Sequence, residues 1–380
     1  MPDDTRLSPQ LVSSILEIDA AGWDALAGVA NPFVSHAFLA ALERSGSVGP
    51  GTGWQATHLT LADDTGTLMA AMPLYAKSHS YGEYVFDHGW ADAYERAGGR
   101  YYPKLQSAVP FTPVTGPRLL APTDALKLAL ARAAADITAT NSLSALHATF
   151  IEPEERPIFE AAGYLIRTDQ QFHWFNKGYD DFDGFLAALS SSKRKQIRKE
   201  RRSVAEAGIN FRHLTGGDIT EAHWDAFFDF YIDTGNRKWG QPYLNREFFS
   251  LIGETMADRI LLIVAEREGE PIAGALNLIG ADTLYGRYWG CVEDHANLHF
   301  ETCYYQAIDW AIAHGLKCVE AGAQGPHKLA RGYEPVETLS AHSIPNDSFR
   351  EAVARFLRME RREVAEMGES LRDHLPFRKG

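Results

Sequence analysis

Cysteine is scarce in this chain, where the three residues Cys291, Cys303 and Cys318 all lie in the second half. They lack the paired spacing of zinc ligands, and so small a number excludes a disulfide framework. Long apolar runs are also missing, because every hydrophobic stretch is of strand length or is broken by a charge, which argues against a membrane-spanning helix. No basic segment leading into an apolar core opens the sequence, so we expect a cytoplasmic protein without a secretory signal.

Basic residues are the minority among the charges, with 37 Lys and Arg against 50 Asp and Glu and a net charge of −13. This balance argues against a surface that binds nucleic acid as a whole. The local exception is the segment 193–202, in which Arg194, Arg198 and Arg201 recur at helical spacing. It is either a solvated helix face or an anion site for a nucleotide phosphate, an anionic lipid surface or an RNA end.

A length of 380 residues with 45% hydrophobic content predicts two globular domains, each with its own core. A pattern of three strands and an acidic loop occurs twice, at 58–92 and at 260–291. The repeat indicates duplication, with domains at 1–175 and 176–380 and a cleft between them. A basic connecting helix is predicted at 185–207.

The remaining predicted elements follow from hydrophobic periodicity. Apolar residues from Phe300 to Ile312 recur at helical spacing, Gly315 ends that helix, and a short buried strand follows at 317–320. A closing strand is predicted at 171–176. Other helices are predicted at 8–28, 35–45, 122–140, 218–235 and 245–257.

Several phrases of the sequence carry a family resemblance. The closing segment 320–333, the basic helix, and the phrases 89–92, 100–104 and 285–291 resemble the FemAB-like branch of the GNAT acyltransferase superfamily over nearly the whole chain. The resemblance implies an α/β protein with mixed (α+β) sheets, built as two tandem GNAT-like folds. From the polar and aromatic phrases 87–92 and 100–104 of the first half, we expect the first domain to recognise the acceptor, and the second to bind the acyl donor and carry out catalysis.

The implied reaction is transfer of an activated acyl group to a primary amine of a cell-envelope precursor or amino lipid. The donor is acyl-CoA in ordinary GNAT enzymes and aminoacyl-tRNA in the broader Fem family. This sequence lacks the pyrophosphate loop of ordinary GNAT enzymes between Cys291 and Phe300, so other groups must help to hold CoA. We favour acyl-CoA because the chain is acidic, and the position of the 193–202 helix relative to the donor cleft discriminates between the two donors.

The sequence also bears on the binding partners and on whether the protein is an enzyme. The acceptor is expected to be a small-molecule or lipid-linked amine, with peripheral contact at the inner face of the membrane, and no metal is expected. A non-catalytic protein that binds peptidoglycan or another ligand is the alternative from a different class. The missing pyrophosphate loop is its best support.

Acyl transfer to an amine needs a base for the incoming ammonium and an acid for the leaving group. The candidates are His299 and Glu301 at the start of the amphipathic helix, and Glu320 at the end of a buried strand. Glu301 is equally explained by a favourable interaction with the helix dipole, and Glu320 by a satisfied polar network. Cys303 lies one turn from His299, but its place in the apolar stripe favours an inert thiol.

The candidate binding residues fall into two groups. A polar and aromatic loop is expected at 87–92 and at 100–104, forming a wall of the acceptor site, although ordinary turn packing explains it as well. Lys328 matches a lysine that precedes the terminal Gly-aromatic pair of the Fem pattern. The donor-binding candidates are Arg194, Arg198, Arg201, Lys328 and Arg331. The substrate-binding candidates are His88, Trp90, Asp92, Arg100, Tyr102, Trp239, Tyr288, Gln324, His327 and Tyr333.

Overall fold

The computed structural model describes residues 7–238, 242–322 and 325–378. The chain forms two compact units. Unit 1 contains residues 1–169 and 337–365, and unit 2 contains residues 170–336 and 366–380. The predicted boundary near 175 lies close to the first of these breaks. The segment 337–365, which the sequence analysis assigned to the second domain, belongs to unit 1.

Unit 1 combines two groups of strands with helices. One group has the order β1-β3-β4 and the other the order β2-β5-β6-β7-β14, in which β6 and β7 are parallel. Its elements up to residue 161 are β1 Ser8–Val12, α1 Ala20–Ala27, α2 His36–Arg44, β2 Trp54–Ala56, β3 His58–Ala62, β4 Leu68–Met72, β5 Tyr75–Lys77, α3 His88–Arg96, β6 Lys104–Ser107, α4 Asp124–Thr140, β7 Leu146–Ile151 and α5 Arg156–Ala161.

Two predictions for unit 1 are wrong. The helix predicted at 8–28 begins as strand β1, which pairs antiparallel with β3, and is followed by a 3₁₀ turn at Ile15–Glu17 and by the α-helix Ala20–Ala27. The predicted third strand of the first repeat does not form, since residues 84–87 have no regular structure, and most of the predicted loop at 87–92 is the start of helix α3. This helix forms because it buries Trp90 and Ala91, and Tyr94 follows one turn later on the same side.

Unit 2 contains one group of strands, in the order β8-β13-β12-β11-β10-β9. The second strand repeat is confirmed as the antiparallel meander of β10, β11 and β12. The elements from residue 165 are β8 Leu165–Phe175, α6 Phe182–Ala188, α7 Ser191–Glu206, β9 Ile209–Thr215, α8 Glu221–Lys238, α9 Arg246–Thr255, β10 Ile260–Arg267, β11 Glu270–Ile279, β12 Thr283–Cys291, α10 Leu298–Phe300, a π-helical turn Glu301–Tyr305, α11 Gln306–Ala313, β13 Cys318–Glu320, a 3₁₀ turn Pro326–Arg331, β14 Glu334–Ser343 and α12 Asp347–Asp373.

The predicted basic helix at 185–207 is two helices, α6 and α7, because the backbone of Leu189 and Ser190 is extended. Helix α7 has one buried stripe, Ile197, Glu200 and Val204, and its other faces are strongly basic. Helix α8 packs closely on β12, since a Cβ atom on Gly290 would lie 2.1 Å from the carbonyl oxygen of Phe230. Only glycine therefore fits at this crossing.

In each unit, one pair of neighbouring strands comes from positions that are far apart in the sequence. Strand β14 pairs with β7 through contacts such as Ala341 with Ala148, and these residues belong to unit 1. Residues 173–175 of β8 pair with β13, and these belong to unit 2. Helix α12 likewise contributes residues up to 365 to unit 1 and later residues to unit 2.

The hydrophobic residues form separate cores in the two units. The core of unit 1 surrounds Leu59, Leu105 and Leu146, and that of unit 2 surrounds Trp174, Ile263 and Tyr305. Within the described residues, no helix is both long enough and apolar enough to cross a membrane.

Candidate functional site

The central strands of unit 2 separate part of the way along their length. Parallel pairing between β12 and β13 covers only Thr283 to Tyr285, with Tyr285 opposite Glu320. Strand β12 continues to Cys291, whereas β13 ends at Glu320. Among the described residues, β12 therefore has no ladder partner on this side beyond Tyr285, and the two strands diverge from that point.

The helix that follows β12 is interrupted by the π-helical turn Glu301–Tyr305. Such turns widen the helix and are frequent at functional sites. Here the turn directs Glu301 toward α7, where the buried carboxylate accepts hydrogen bonds from Arg201 Nε at 3.1 Å and Gln306 Nε2 at 2.7 Å. Burial raises the pKa of Glu301 against the opposing effect of Arg201.

His299 lies beside a cavity of about 440 Å³ at the start of this helix. Its ring centroid is 5.3 Å from that of Trp289 and 5.4 Å from that of Tyr304. The cavity is also lined by the aromatic Phe300 and by the carboxylates Glu293 and Asp294. Glu293 pairs with Arg267 and with His295, so the aromatic faces and Asp294 are the part of this lining that suits a cationic amine.

The 3₁₀ turn Pro326–Arg331 brings three of the candidates close to His299 and to the π-helical turn. His327 Nε2 lies 2.9 Å from the Tyr304 hydroxyl, and its ring centroid is 6.4 Å from that of His299. Burial, followed by the charges of Arg331 and Lys328, lowers the pKa of His327. Lys328 is buried, and its Nζ donates to the Gly322 carbonyl at 2.6 Å.

Burial also lowers the pKa of Lys328 to about 8, opposed by the electrostatic effects of Cys303 and Glu320. Glu320 is itself buried, and its Oε1 lies 3.8 Å from His173 Nδ1. Tyr333 is fully buried with its ring centroid 5.5 Å from that of Tyr304, and burial raises the pKa of its hydroxyl. These contacts place a lysine, a carboxylate and a phenol close to the end of β13.

Charged side chains of helix α7 contact both the π-helical turn and the 3₁₀ turn. Glu200, the one acidic residue in 193–202, accepts from the Tyr305 hydroxyl and from Arg331 Nη2 at 3.0 Å. Arg331 also lies over the Phe300 ring, 3.4 Å from its centroid. Arg201 reaches Asp309 at 3.3 Å as well as Glu301. Two of the predicted donor-binding arginines, Arg201 and Arg331, thus hold carboxylates of unit 2.

The other predicted donor-binding residues are more open. Arg198 is exposed and pairs with Asp183 at 2.9 Å, and Arg194 is half-buried. Lys195, Lys199 and Arg202 are exposed on the same helix. Helix α7 therefore carries an exposed basic surface and also contacts the π-helical turn.

The predicted substrate-binding residues are divided between the units. His88, Asp92 and Arg100 are exposed in unit 1, Trp90 is buried there, and the Tyr102 hydroxyl lies 2.8 Å from Ser80 Oγ. In unit 2, His327 and Tyr333 lie near His299, whereas the Tyr288 ring packs on Tyr231 with centroids 5.3 Å apart. Trp239 and Gln324 lie outside the described residues.

Sequence reasoning missed Glu200, Tyr304 and Tyr305. Glu200 had a readable signal, because it falls at helical spacing with the apolar Ile197 inside a run of basic residues. Tyr304 lies in the predicted apolar stripe and Tyr305 follows it outside the stripe, and the hydroxyl contacts of both had no sequence signal. Within the described ranges, no group of three or more His, Cys, Asp or Glu side chains is placed to hold a metal ion.

Comparison with known proteins gives the family and the fold. The sequence profile of the FemAB-like family, described as peptidoglycan biosynthesis/recognition, matches residues 14–379. No curated protein matches the chain at a significant level. The structure of FemX aligns with a TM-score of 0.56 at 12% identity, covering 89% of this chain and 98% of FemX. The structure of L-PGS from Bacillus licheniformis aligns with a TM-score of 0.52 at 11% identity, covering 84% and 94%.

At such low identity these likenesses concern the fold alone. They confirm the predicted α/β class with mixed sheets and two GNAT-like folds in tandem. The profile match extends over nearly the whole sequence, in agreement with the resemblance found in its motifs. The chain belongs to the FemAB-like family of peptidoglycan biosynthesis/recognition proteins.

Proposed function

We propose that this protein is an N-acyltransferase, and that unit 2 transfers an acyl group from acyl-CoA to a primary amine. The observation that carries the proposal is the separation of β12 from β13 after Tyr285. In this proposal the acyl carbonyl enters the opening between the two strands, where a backbone N–H group at its edge would stabilise the negative charge that develops during attack. Glu320 and Lys328 lie close to the end of this opening.

The chemistry assigned to the site is direct transfer. The amine nitrogen attacks the acyl carbonyl carbon, the C–S bond breaks, and the thiolate leaves with the bonding electrons. His299 takes a proton from the incoming amine, because histidine is the side chain suited to proton transfer near neutral pH. The aromatic and acidic cavity beside His299 suits the amine before attack. A protonated Lys328 can supply the proton to the leaving thiolate.

A buried arginine in unit 1 is the reason for assigning the acyl donor to unit 2. The parallel strands β6 and β7 pair from Leu105 to Ser107, like β12 and β13 in unit 2. The space beyond this pairing holds the fully buried Arg118, which donates to the carbonyls of Thr149 at 2.9 Å and of Val114 at 3.0 Å. Because this guanidinium fills the space beyond the paired strands, we assign the acyl donor to unit 2 and acceptor recognition to unit 1.

The proposed acceptor is an amine of the cell envelope. The family description names peptidoglycan, and a structural relative from Agrobacterium fabrum, aligned at a TM-score of 0.53, 10% identity and 91% of this chain and 97% of its own, is named as a lysylphosphatidylglycerol synthetase domain. Both names concern envelope components, which supports a peptidoglycan precursor or an amino lipid. A cytoplasmic protein at the inner face of the membrane would meet such acceptors.

A second candidate is transfer from aminoacyl-tRNA. The observation that favours it is the contact of α7 with the π-helical turn, through Glu200 with Tyr305 and Arg201 with Glu301. The exposed basic residues of that helix could then bind phosphates of an RNA end. The absence of an ordinary pyrophosphate loop agrees with this candidate.

The first experiment compares the donors on the purified protein. Thermal stability is measured with CoA, acetyl-CoA, palmitoyl-CoA and aminoacyl-tRNA, because a ligand at 100 times its Kd adds about 2.7 kcal/mol to the free energy of unfolding. A shift with acyl-CoA supports the proposal, and a shift with aminoacyl-tRNA alone supports the second candidate. No shift with any donor would overturn both.

Turnover is then measured as amide formation from the stabilising donor and an amine, with a His299→Ala variant. We expect at least a 100-fold loss of rate with donor binding retained. His314→Ala is the matched control, because His314 is an exposed histidine at the other end of the same helical segment. Donor binding without turnover in the native protein would favour a non-catalytic binding role.

A further inference from the structure

Helices α3 and α12 of unit 1 border a cavity of about 760 Å³ that the proposed transfer does not use. Its lining comes from the segments 86–99 and 346–356, and no charged side chain is among the described residues that line it. The aromatic rings of the lining are those of Phe86, Trp90, Tyr94, Phe349 and Phe356. The two helices therefore present an apolar surface to this cavity.

This apolar surface continues onto the outside of unit 1. Phe86 is 58% exposed and Phe356 is 41% exposed, although both line the cavity. The ring centroid of His88 lies 6.1 Å from that of Phe86 and 6.4 Å from that of the exposed Tyr81. Met359 follows Phe356 by one helical turn and is also exposed. Exposed apolar side chains that adjoin one another mark an interaction surface, whereas isolated ones are ordinary.

Arginines flank these apolar side chains on α12. Arg355, Met359 and Arg362 occur at i, i+4 and i+7, so they lie on one face of the helix. Arg358 precedes Met359, and all three arginines are exposed. Arg355 lies 3.9 Å from Glu351, whereas neither Arg358 nor Arg362 has an ion-pair partner among the described residues. The charges of Arg358 and Arg362 are therefore available to anionic groups of another molecule.

Acidic side chains are fewer on this part of the helix. From 350 to 363, α12 has five arginines and three glutamates, a net charge of +2 in a chain whose net charge is −13. Arg167 holds Glu360 through contacts of 2.9 and 2.6 Å, Glu351 reaches Arg355, and Glu363 is exposed. Positive charge is thus concentrated on one part of an acidic protein, which orients that part toward an anionic surface.

The combination of apolar and basic side chains fits a membrane better than RNA or a second copy of the chain. RNA would pair with the arginines but leave Phe356 and Met359 in water. A symmetric contact between two copies through this face would place arginine against arginine. Anionic lipids satisfy both groups, because their phosphates attract arginine and their acyl chains accept apolar side chains.

We propose that unit 1 binds the surface of an anionic phospholipid bilayer through a docking face beside this cavity. The face has three apolar side chains, which enter the boundary of the acyl chains, and three basic ones, which bind lipid phosphates. They are Phe86, Phe356, Met359, Arg355, Arg358 and Arg362. The inference names a surface for the peripheral membrane contact expected from the sequence, and it is independent of the acyl transfer proposed for unit 2.

Membrane binding is measured by sedimenting vesicles with the full-length protein, without an acyl donor. We expect vesicles of equal parts phosphatidylglycerol and phosphatidylcholine to bind at least tenfold more tightly than phosphatidylcholine alone at about 0.05 M NaCl. About 0.5 M NaCl should remove most of this preference, because salt screens the arginines. No binding to the anionic vesicles, or equal binding to both kinds, would overturn the proposal.

Two variants locate the contact. Arg358→Gln combined with Arg362→Gln should weaken binding to the anionic vesicles at least tenfold. Arg44→Gln combined with Arg132→Gln removes the same charge from exposed positions elsewhere in unit 1 and should keep the native affinity. An equal loss in both double variants would show that net charge governs binding, and the docking face would be wrong.

The apolar part of the face is tested by Met359→Ser, which should weaken binding about fivefold or more. Met367→Ser is the matched control, because Met359 is 61% exposed and Met367, later in the same helix, is 60% exposed. Both variants should keep amide formation with a soluble amine, so membrane binding and acyl transfer can fail separately. If Lys195→Gln with Lys199→Gln on α7 abolished vesicle binding while the Arg358 and Arg362 variant retained it, the contact would belong to unit 2 and the proposal would fail.

Discussion

At the scale of single residues, unit 1 depends on charges that have been removed from water. Lys104 is fully buried between Glu83 and Asp87. Replacing it by methionine keeps the volume but leaves the buried Asp87 without its lysine and Glu83 with only Lys77 at 3.8 Å, so Lys104→Met should lower the free energy of unfolding by about 3–5 kcal/mol. Urea denaturation measures this change. Lys127→Met, at a partly exposed lysine of the same unit, should change it by less than about 0.5 kcal/mol.

A second residue-scale prediction concerns acid. Burial first, then Lys104, lowers the pKa of His147 to about 3, and the pKa of His342 is lowered in the same direction. Unfolded histidine titrates near 6.5, so below that pH the unfolded chain binds more protons than the folded one. Stability contributed by these neutral rings is therefore complete above about pH 6.5 and lost as the pH falls toward 3.

The expected slope is up to about 1.4 kcal/mol per pH unit for each histidine. Urea denaturation at pH 7, 6 and 5 should show it, and His147→Gln should have the smaller slope. His374→Gln removes an exposed histidine and should keep the native slope. An unchanged slope in His147→Gln would show that the buried histidines are not the groups that titrate.

At the scale of elements, close packing of α8 on β12 sets the shape of the strand that leaves β13. A methyl group on Gly290 would lie 2.1 Å from the Phe230 carbonyl oxygen, which is backbone and cannot move aside as a side chain can. Gly290→Ala should therefore cost about 3 kcal/mol or more in the free energy of unfolding and should reduce acyl transfer. Gly217→Ala is the matched control, because a Cβ atom there meets nothing within 4 Å. Equal stability of the two variants would contradict this account.

Elements with a strong periodic pattern could be predicted from the sequence. The meander of β10, β11 and β12 consists of long apolar strands between clear turns, and α4 carries a long apolar stripe. Helix α3 could not be predicted, because its buried residues Trp90 and Ala91 lie next to Gly89 in a phrase that also suits a loop. Helices α6 and α7 are separate because the backbone is extended at Ser190. A single serine is too weak a sequence signal to predict this break.

At the candidate site, the sequence suggested candidate side chains but not their partners. His299, His327 and Lys328 come together as residues near the end of β13 and the start of the helix. Arg201 and Arg331 were expected to hold an anionic donor, yet each pairs with a carboxylate of unit 2. Pairings such as Arg331 with Glu200 join positions far apart in the chain, and no local pattern encodes them.

At the scale of the whole molecule, the two units are discontinuous in sequence. The repeat at 58–92 and 260–291 indicates two halves, but it carries no information about which strand completes which sheet. Pairing of β14 with β7 assigns residues 337–343 to unit 1, although they follow the last strand of unit 2. Dividing the sequence at a single position cannot describe two units that are each made of separate sequence segments.

The last prediction tests this assignment. Ala341 is fully buried on β14 opposite Ala148, in the core of unit 1. Ala341→Asp buries a charge without a partner, so it should destabilise unit 1 by more than about 3 kcal/mol. Hydrogen exchange should then show lost protection in residues 104–107 and 146–151, whereas residues 260–291 stay protected.

Ala275→Asp provides the reverse experiment, because Ala275 is buried on β11 in the core of unit 2. In this variant the backbone amides of residues 260–291 should lose protection from hydrogen exchange first, whereas those of residues 104–107 and 146–151 should keep it. If Ala341→Asp instead exposed the strands at 260–291 first, β14 would belong energetically with the strands that precede it in sequence. The opposite patterns in the two variants would show that a strand at position 341 stabilises a unit that begins near the start of the chain.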